Sequence, residues 1–321
     1  MGEVFAYIKH AQGIADDSAL ELIVAAKKIA PGAPVTAVVS GTGADLDKVC
    51  TAMAGVYNAV WKIDNAALAY PNAEVVRKAL VNILPAGSIV LLPHDTFGMD
   101  LGPGLSIKMN VPFVADIVGV DGVDGGALKA VRQEFSGQVS THVTCDISNG
   151  AVMNIRGGVF QADGSAAGGA VVDKSAAAGD LSAKRTFIEV VAAEAGDVDI
   201  TKSEVLVSVG RGIEDQENLE MVFDLAKAMG ADVSCSRPIV DAKWLEKARQ
   251  VGTSGQTVKP KVYMAMGISG SFQHLGGLKG NPFIVAVNKN PKAPIFQVAD
   301  VGIEANILEF IPELTEKIQE L

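Results

Sequence analysis

The run Val262-Tyr263-Met264-Ala265-Met266, followed at once by Gly267-Ile268-Ser269-Gly270-Ser271-Phe272-Gln273-His274, decides the fold. The first five residues are apolar without alternation, as expected of a strand covered on both faces of a parallel sheet. The next eight are small, polar or helix-starting, so the chain leaves the strand through a turn. Open parallel sheets receive ligands at this end of their strands. The same transition recurs on either side. Gly210-Arg211-Gly212 follows a strand at Val205–Val209, and Ser236-Arg237-Pro238 follows one at Asp232–Cys235. Asn288 follows a strand at 284–287, and Asn306 lies past a run read as a strand at 295–298. Val251-Gly252-Thr253-Ser254-Gly255 makes a further turn before the third strand.

Clusters of this kind at successive strand ends point to one large, anionic, partly planar ligand. Glycines let backbone approach closely, and hydroxyl and amide groups at helix starts meet phosphate oxygens. Arg211 and Arg237 offer forked donors for a diphosphate or a ring face. A nucleotide cofactor is the expectation. The standard dinucleotide fingerprint is absent, because Gly210-Arg211-Gly212-Ile213-Glu214 is not completed by its third glycine. Helical patterns at 215–229, 241–250 and 303–320 fill the intervals, with Trp244 as a core anchor on the second. The last sets Ile307, Phe310, Ile311, Leu314 and Ile318 on one side, which suits packing on a sheet or a partner.

The first half also alternates strand and helix: strands at Val4–Ile8, 34–39, 58–63 and 88–92, helices at Ser18–Ile29 and 73–84. That rhythm predicts a mostly parallel sheet. After Pro112 the pattern changes, and 128–135, 140–146 and 151–156 alternate as antiparallel strands with one wet face do. Residues 162–183 are almost wholly Ala, Gly, Ser and Asp and read as an exposed connection. A last strand is expected at 185–191. The fold class is therefore α/β with two domains: a Rossmann-like N-terminal domain with added antiparallel strands at 1–202, and a parallel-sheet C-terminal domain at 203–321. No internal repeat stands out.

The chain has 321 residues, enough for two cores, and a formal net charge of −10, which argues against a nucleic-acid partner. No apolar run approaches the ~20 residues of a membrane span. Met1-Gly2-Glu3-Val4 leads straight into a strand without a secretion or transit signature, so a prokaryotic cytoplasm is expected. The three cysteines, Cys50, Cys145 and Cys235, are scattered in apolar or small-residue strand contexts and read as buried thiols. His94-Asp95 reads as a loop cap at a strand end. His10 and His142 lie in strand contexts without Cys or carboxylate companions at ligand spacing, so no metal is expected.

The stretch from Tyr263 to Gly277, continuing to Ile284-Val285-Ala286-Val287-Asn288-Lys289, is similar to the signature of electron transfer flavoprotein alpha subunits (the FixB family). Gly210-Arg211-Gly212, Ser236-Arg237-Pro238-Ile239-Val240-Asp241, Val251-Gly252-Thr253-Ser254-Gly255 and Ala293-Pro294-Ile295-Phe296-Gln297-Val298-Ala299-Asp300 follow the family's order and spacing. The match covers the second domain. The first resembles the family more loosely, through its length and Arg156-Gly157-Gly158-Val159-Phe160.

The resemblance implies one FAD in this chain, held by Arg211, Ser236, Arg237, Val251, Gly252, Thr253, Ser254, Ser269, Gly270, Ser271, Phe272, Gln273, His274, Asn288, Asn306 and Ile307. Arg237, Ser254 and His274 would tune the flavin: Arg237 over the ring, Ser254 bonding N5, His274 at the N1–C2=O edge, more strongly if protonated. A hydrogen bond to a charged group contributes roughly 1.5–3 kcal/mol. That is about 65–130 mV in a one-electron step, at about 59 mV per tenfold change. Thr253 and Ser254 stand where the family usually has Gln and Thr, and Asn306 where it has Asp. Ser271-Phe272 replaces Ala-Ile.

The family's beta subunit would be the obligate partner, carrying AMP or, in electron-bifurcating members, a second FAD and an NADH site. The first domain would then serve mainly as the interface with it. The implied role is an electron carrier rather than a substrate-converting enzyme. It would link an acyl-CoA dehydrogenase-type flavoenzyme to a quinone oxidoreductase, ferredoxin or another acceptor. A nicotinamide-dependent enzyme domain on a related sheet is the rival from another class; it predicts a colourless protein that binds NAD. A scaffold that has lost its cofactor would need degraded strand ends.

Overall fold

The computed structural model describes residues 2–134, 139–164, 166–185, 187–189 and 198–320. They form two compact units, Met1–Glu189 and Val190–Leu321, each with its own sheet.

The first unit runs β1 (Val4–Ile8), a small hairpin β2 (His10–Ala11) and β3 (Ile14–Ala15), α1 (Ser18–Ile29), β4 (Val35–Gly41), α2 (Gly43–Ala54) and β5 (Ala59–Asp64). It continues with α3 (Ala73–Ile83), β6 (Ile89–Pro93), α4 (Thr96–Met109), β7 (Phe113–Asp124), β8 (Ala127–Glu134), β9 (Val139–Asp146), β10 (Ala151–Ile155) and β11 (Ala170–Asp173). The main sheet has the order β11-β5-β4-β1-β6-β10-β7-β8-β9. Only β7–β8 and β8–β9 pair antiparallel. Val4, Ala6 and Ile8 of β1 face one core with α1 and α2, while Phe5 and Tyr7 face another with α3 and α4. Burial on both faces is why β1 reads as an unbroken apolar run.

Several expectations need correction here. The antiparallel reading holds for β8 and β9 but fails at 151–156. There β10 lies between β6 and β7, parallel to both, with all five residues buried. Asn154, which made the run look half polar, is fully buried beside Gly98 and Gly102 of α4. The low-complexity stretch is largely exposed, yet Ala170–Asp173 adds a parallel edge strand to β5, and Ala178 and Leu181 are buried in the core beneath α3. Small side chains leave the backbone free to pair along a sheet edge. The strand expected at 185–191 is absent at Arg185 and 187–189, where Phe187 stacks on Tyr70 at 4.4 Å; residues 186, 190 and 191 lie outside the described residues. Cys50 sits on α2 rather than in a strand context. Cys50 and Cys235 are buried, and Cys145 is partly so. His142 does have a carboxylate companion: β7 brings Asp121 to 2.6 Å from its Nδ1. Asp95, expected as a loop cap, caps helix α4, accepting from Gly98 N at 2.7 Å.

The second unit runs β12 (Val205–Val209), α5 (Leu219–Met229), β13 (Asp232–Cys235), α6 (Arg237–Asp241), β14 (Val262–Met266), α7 (Phe272–Leu275), β15 (Phe283–Asn288), β16 (Val301–Glu304) and α8 (Ile307–Gln319). The strand order is β13-β12-β14-β15-β16, all parallel. Helices α5 and α8 bury Leu219, Val222, Leu225, Ile307 and Ile311 on one face of the sheet. Helix α5 stops at Gly230, which takes the left-handed conformation (φ 62°) that closes helices without strain.

Two elements of this unit also differ from the sequence reading. The helix expected at 241–250 is absent beyond Asp241, with only a 3-10 turn at Lys247–Arg249; the helix here is α6, which lies before that stretch and starts where Pro238 fits a first helical turn. It ends before Lys243, whose φ is +61°. Trp244 then lies in a turn, still partly buried against the α5 core. The run at 295–298 is not a strand but a 3-10 turn, Pro294–Gln297, whose Ile295 is fully buried. The edge strand is β16, so Asn306 follows Val301–Glu304.

Candidate functional site

The loops at the carboxyl ends of the second sheet enclose a cavity of about 720 Å³, drawn entirely from the second unit. Cofactor sites span ~300–1,000 Å³. The strand order reverses between β12 and β14, and this is where a doubly wound sheet leaves a crevice. Gly210 N bonds Met266 O at 2.9 Å, and Gly212 N bonds Gly267 O at 3.2 Å, so the two exit loops are laced together. Only glycine permits this. A Cβ on Gly212 would lie 2.7 Å from Gly267 Cα, and Gly267 itself has φ +65°.

Each wall comes from one strand exit. Arg211 and Gly212 line it after β12, and Lys289 and Asn290 after β15. Lys289 Nζ is 2.8 Å from Glu214 Oε1. Ser236, Arg237, Pro238 and Asp241 line it from the start of α6. Ser236 is buried, whereas Arg237 is exposed and lies 3.3 Å from Asp241 Oδ2 through its Nε. The turn Val251, Gly252, Thr253 and Ser254 is pinned by Val251 N to Cys235 O at 2.9 Å and Thr253 N to Gln273 O at 2.8 Å. Ser254 Oγ accepts from Gln250 Nε2 at 2.9 Å.

Ser269, Ser271, Gln273 and His274 line the cavity after β14. His274 is buried, its Nε2 2.7 Å from the Tyr263 hydroxyl. Burial pushes its pKa down to about 4, so the ring is neutral at pH 7. Asn288 donates through Nδ2 to Ile268 O at 2.9 Å and accepts from Asn290 N, bracing its loop. Asn306 and Ile307 complete the lining; Asn306 caps α8 by accepting from Leu308 N at 3.2 Å.

Gly270 and Phe272 do not line the cavity. Gly270 (φ +80°) is packed on the backbone of Ile295, and Phe272 is half exposed. Gln250, Asp241, Lys289 and Asn290 do line it and were not singled out in the sequence. Gln250 had a signal, a lone amide at the edge of the glycine turn. Arg211, Arg237 and Lys289 outnumber Asp241 at the cavity, which suits an anionic ligand. The hydroxyl and amide donors, with a neutral imidazole, fit a phosphate-bearing nucleotide with an aromatic ring system.

Comparison with known proteins bears directly on that fit. The model of the electron transfer flavoprotein FAD-binding domain matches residues 199–279, and the electron transfer flavoprotein domain matches 4–194. The chain belongs to the electron transfer flavoprotein alpha-subunit family. This alpha-type chain is 32% identical to the electron transfer flavoprotein subunit alpha of Thermoanaerobacterium thermosaccharolyticum, over 99% of this chain and 98% of that protein. It is 30% identical to Protein FixB of Clostridium saccharobutylicum, over 99% and 96%. It is 29% identical to the lactate dehydrogenase (NAD(+),ferredoxin) subunit LctC of Acetobacterium woodii, over 98% and 76%. The matched FAD-binding model supports a flavin cofactor in the second unit. Among the described residues of the alpha-type chain, no helix is long and apolar enough to cross a membrane, and no group of His, Cys, Asp and Glu could hold a metal ion.

Proposed function

We propose that the chain binds one FAD along the carboxyl ends of β12–β16 and, paired with a beta subunit, shuttles electrons from an acyl-CoA dehydrogenase-type flavoenzyme to a quinone reductase, ferredoxin or similar acceptor. The carrying observation is the single cavity that gathers nearly all the residues implied by the resemblance. FAD, when bound, supplies the electron-transfer chemistry, and the chain supplies binding and tuning.

Arg211 and Lys289 provide positive charge for the diphosphate. Asn306 orders the first turn of α8, whose N–H groups favour anions. Ser254 has an oxygen lone pair engaged by Gln250, which leaves its own proton to donate to a ring nitrogen. Arg237, held by Asp241, places a cation at the rim and favours negative charge on the ligand. His274 contributes a neutral ring.

A second reading is favoured by the relative from Acetobacterium woodii, whose name pairs NAD(+) with ferredoxin. In it the partner carries a second FAD in place of AMP, and the complex bifurcates electrons from NADH. Flavin extraction from the purified two-subunit complex separates the readings. One FAD per complex fits a shuttle, two fit bifurcation, and a colourless complex that binds NAD would remove the flavin assignment.

A further inference from the structure

Beneath the cavity lies a buried polar cluster that binding alone does not explain. Ser208 on β12 is in register with Ser234 on β13 and with Ala265 on β14, and Leu206 is in register with Tyr263. Residues two apart on a strand share a face, so Ser208, Ser234 and Tyr263 point to the same side of the sheet. All three are fully buried. Serine in the middle of Val205-Leu206-Val207-Ser208-Val209 interrupts an apolar strand and, without a partner, is destabilising. The Ser208 and Ser234 hydroxyls complete no hydrogen bond of good geometry, yet both act on the Tyr263 phenol, offsetting part of the rise that burial imposes on it. The phenol therefore keeps its proton. It lies 2.7 Å from His274 Nε2.

We propose that Tyr263, supported by Ser208 and Ser234, is a positioning residue that donates to His274 Nε2 and so fixes the ring as the neutral Nδ1–H tautomer at the cavity wall. A phenol oxygen can accept two hydrogen bonds and donate one. Burial keeps the phenol protonated, and His274 Nε2 is the partner at hydrogen-bond distance, so its proton is directed at the imidazole. The reverse arrangement, Nε2–H to phenol, would leave Nδ1 a buried lone pair. Nδ1 is buried with no hydrogen bond of good geometry, and the backbone of Val251 acts on the ring to favour its protonated form against the larger effect of burial. An acceptor facing an acceptor is disfavoured, so the proton belongs on Nδ1. Among the described residues, burial and the Val251 backbone, with no charged side chain, shift the ring. His274 thus offers a fixed, uncharged donor whose identity is set from behind by the sheet.

What the fixed ring does to a cofactor rests on the flavin reading; the tautomer itself does not. The chain holds four histidines, so ¹⁵N-histidine labelling of the full chain in its two-subunit complex gives a tractable spectrum, with His274 assigned by its loss in His274→Gln. The expected result is a protonated Nδ1 and an unprotonated Nε2 between pH 6 and 8, with a tautomer preference on the order of tenfold, the ratio that one hydrogen bond of about 1.4 kcal/mol supports. Tyr263→Phe should move both nitrogens toward a mixture of tautomers. It should also shift the one-electron potential of the bound flavin toward that of His274→Gln although His274 is intact. Tyr263→Phe combined with Ser208→Ala and Ser234→Ala removes the whole polar cluster, leaves no orphaned hydroxyl, and should behave the same way in a folded protein. An Nε2–H tautomer in the unmodified chain overturns the proposal, as does a His274 spectrum that ignores both variants. A complex that takes up no flavin but shows the tautomer switch would sink the flavin reading and leave this one standing.

Discussion

At the scale of single residues, His274 shows how far a motif carries. Its position was legible, because a polar ring at the end of a strand-exit loop stands out from the small residues around it. Its protonation was not, because that depends on the 95% of its surface the fold removes from water. Tyr263, Ser208 and Ser234 were invisible as a group, since strand register alone brings them together. The burial of His274 has a measurable consequence. Its pKa falls from 6.5 to about 4 in the folded chain, so below pH 6.5 the unfolded chain binds a proton that the folded chain refuses. Stability contributed by this site is fully present above pH 6.5 and is lost as pH falls through about 4. At about 1.36 kcal/mol per unit the loss is about 3 kcal/mol. Urea unfolding of the cofactor-free full chain in a Trp61→Phe background, where Trp244 alone fluoresces, should show this drop between pH 6.5 and 4. The additional variant His274→Gln should flatten it by that amount. Equal pH slopes for the two proteins would mean that the imidazole is solvated.

At the scale of elements, β12, β13 and β14 were legible to the residue: β14, covered on both faces, reads as a continuous apolar run, and β12 and β13 are short β-rich runs broken only by small or terminal polar residues. β16 was not: three of its four residues are exposed, as an edge strand allows, and Val301-Gly302-Ile303-Glu304 is too short and mixed to stand apart from the helical spacing that follows. Helix α4 was hidden for the opposite reason. Gly98, Gly102, Pro103 and Gly104 argue against a helix by propensity, yet a Cβ at Gly102 would lie 2.6 Å from the Phe113 ring. Close packing on the sheet overrides propensity there. Helix α8 was found but placed four residues early, because 303–306 continues its apolar spacing through β16 and its cap. Asn306 marks the true start by accepting from Leu308 N. Asn306→Ala should therefore destabilise the second unit by about 1 kcal/mol, the usual worth of an N-cap. Asn306→Asp keeps the acceptor and adds charge at the helix start, which should hold or raise stability. A loss of the same size in both variants, read as the Trp244 unfolding midpoint, would show that the contact with Leu308 is not what anchors α8.

At the scale of the whole chain, the two units use the carboxyl ends of their strands differently. In the first, polar groups there are tied to one another: Lys9 bonds Asp95, Arg156 bonds both Asp116 and Gln133, and His94 lies 3.5 Å from Asp116. In the second, glycine turns shape the corresponding loops into the walls of the cavity, and hydroxyl, amide and guanidinium groups line it. A ligand that needs such groups stabilises the unit that owns them, by RT ln(1 + [L]/Kd), since the unfolded chain presents no assembled site. For FAD at a hundred times its Kd the gain is about 2.7 kcal/mol. In the Trp61→Phe chain, the Trp244 transition should move to higher urea as FAD is added, with a dependence that saturates logarithmically. Arg211→Ala and Ser236→Ala together should shift that curve to higher FAD concentration without altering the midpoint in its absence, because Arg211 is exposed and Ser236 makes no side-chain bond that caps α6. A Trp244 midpoint indifferent to FAD, or one that both substitutions leave equally responsive, would place the flavin outside this cavity.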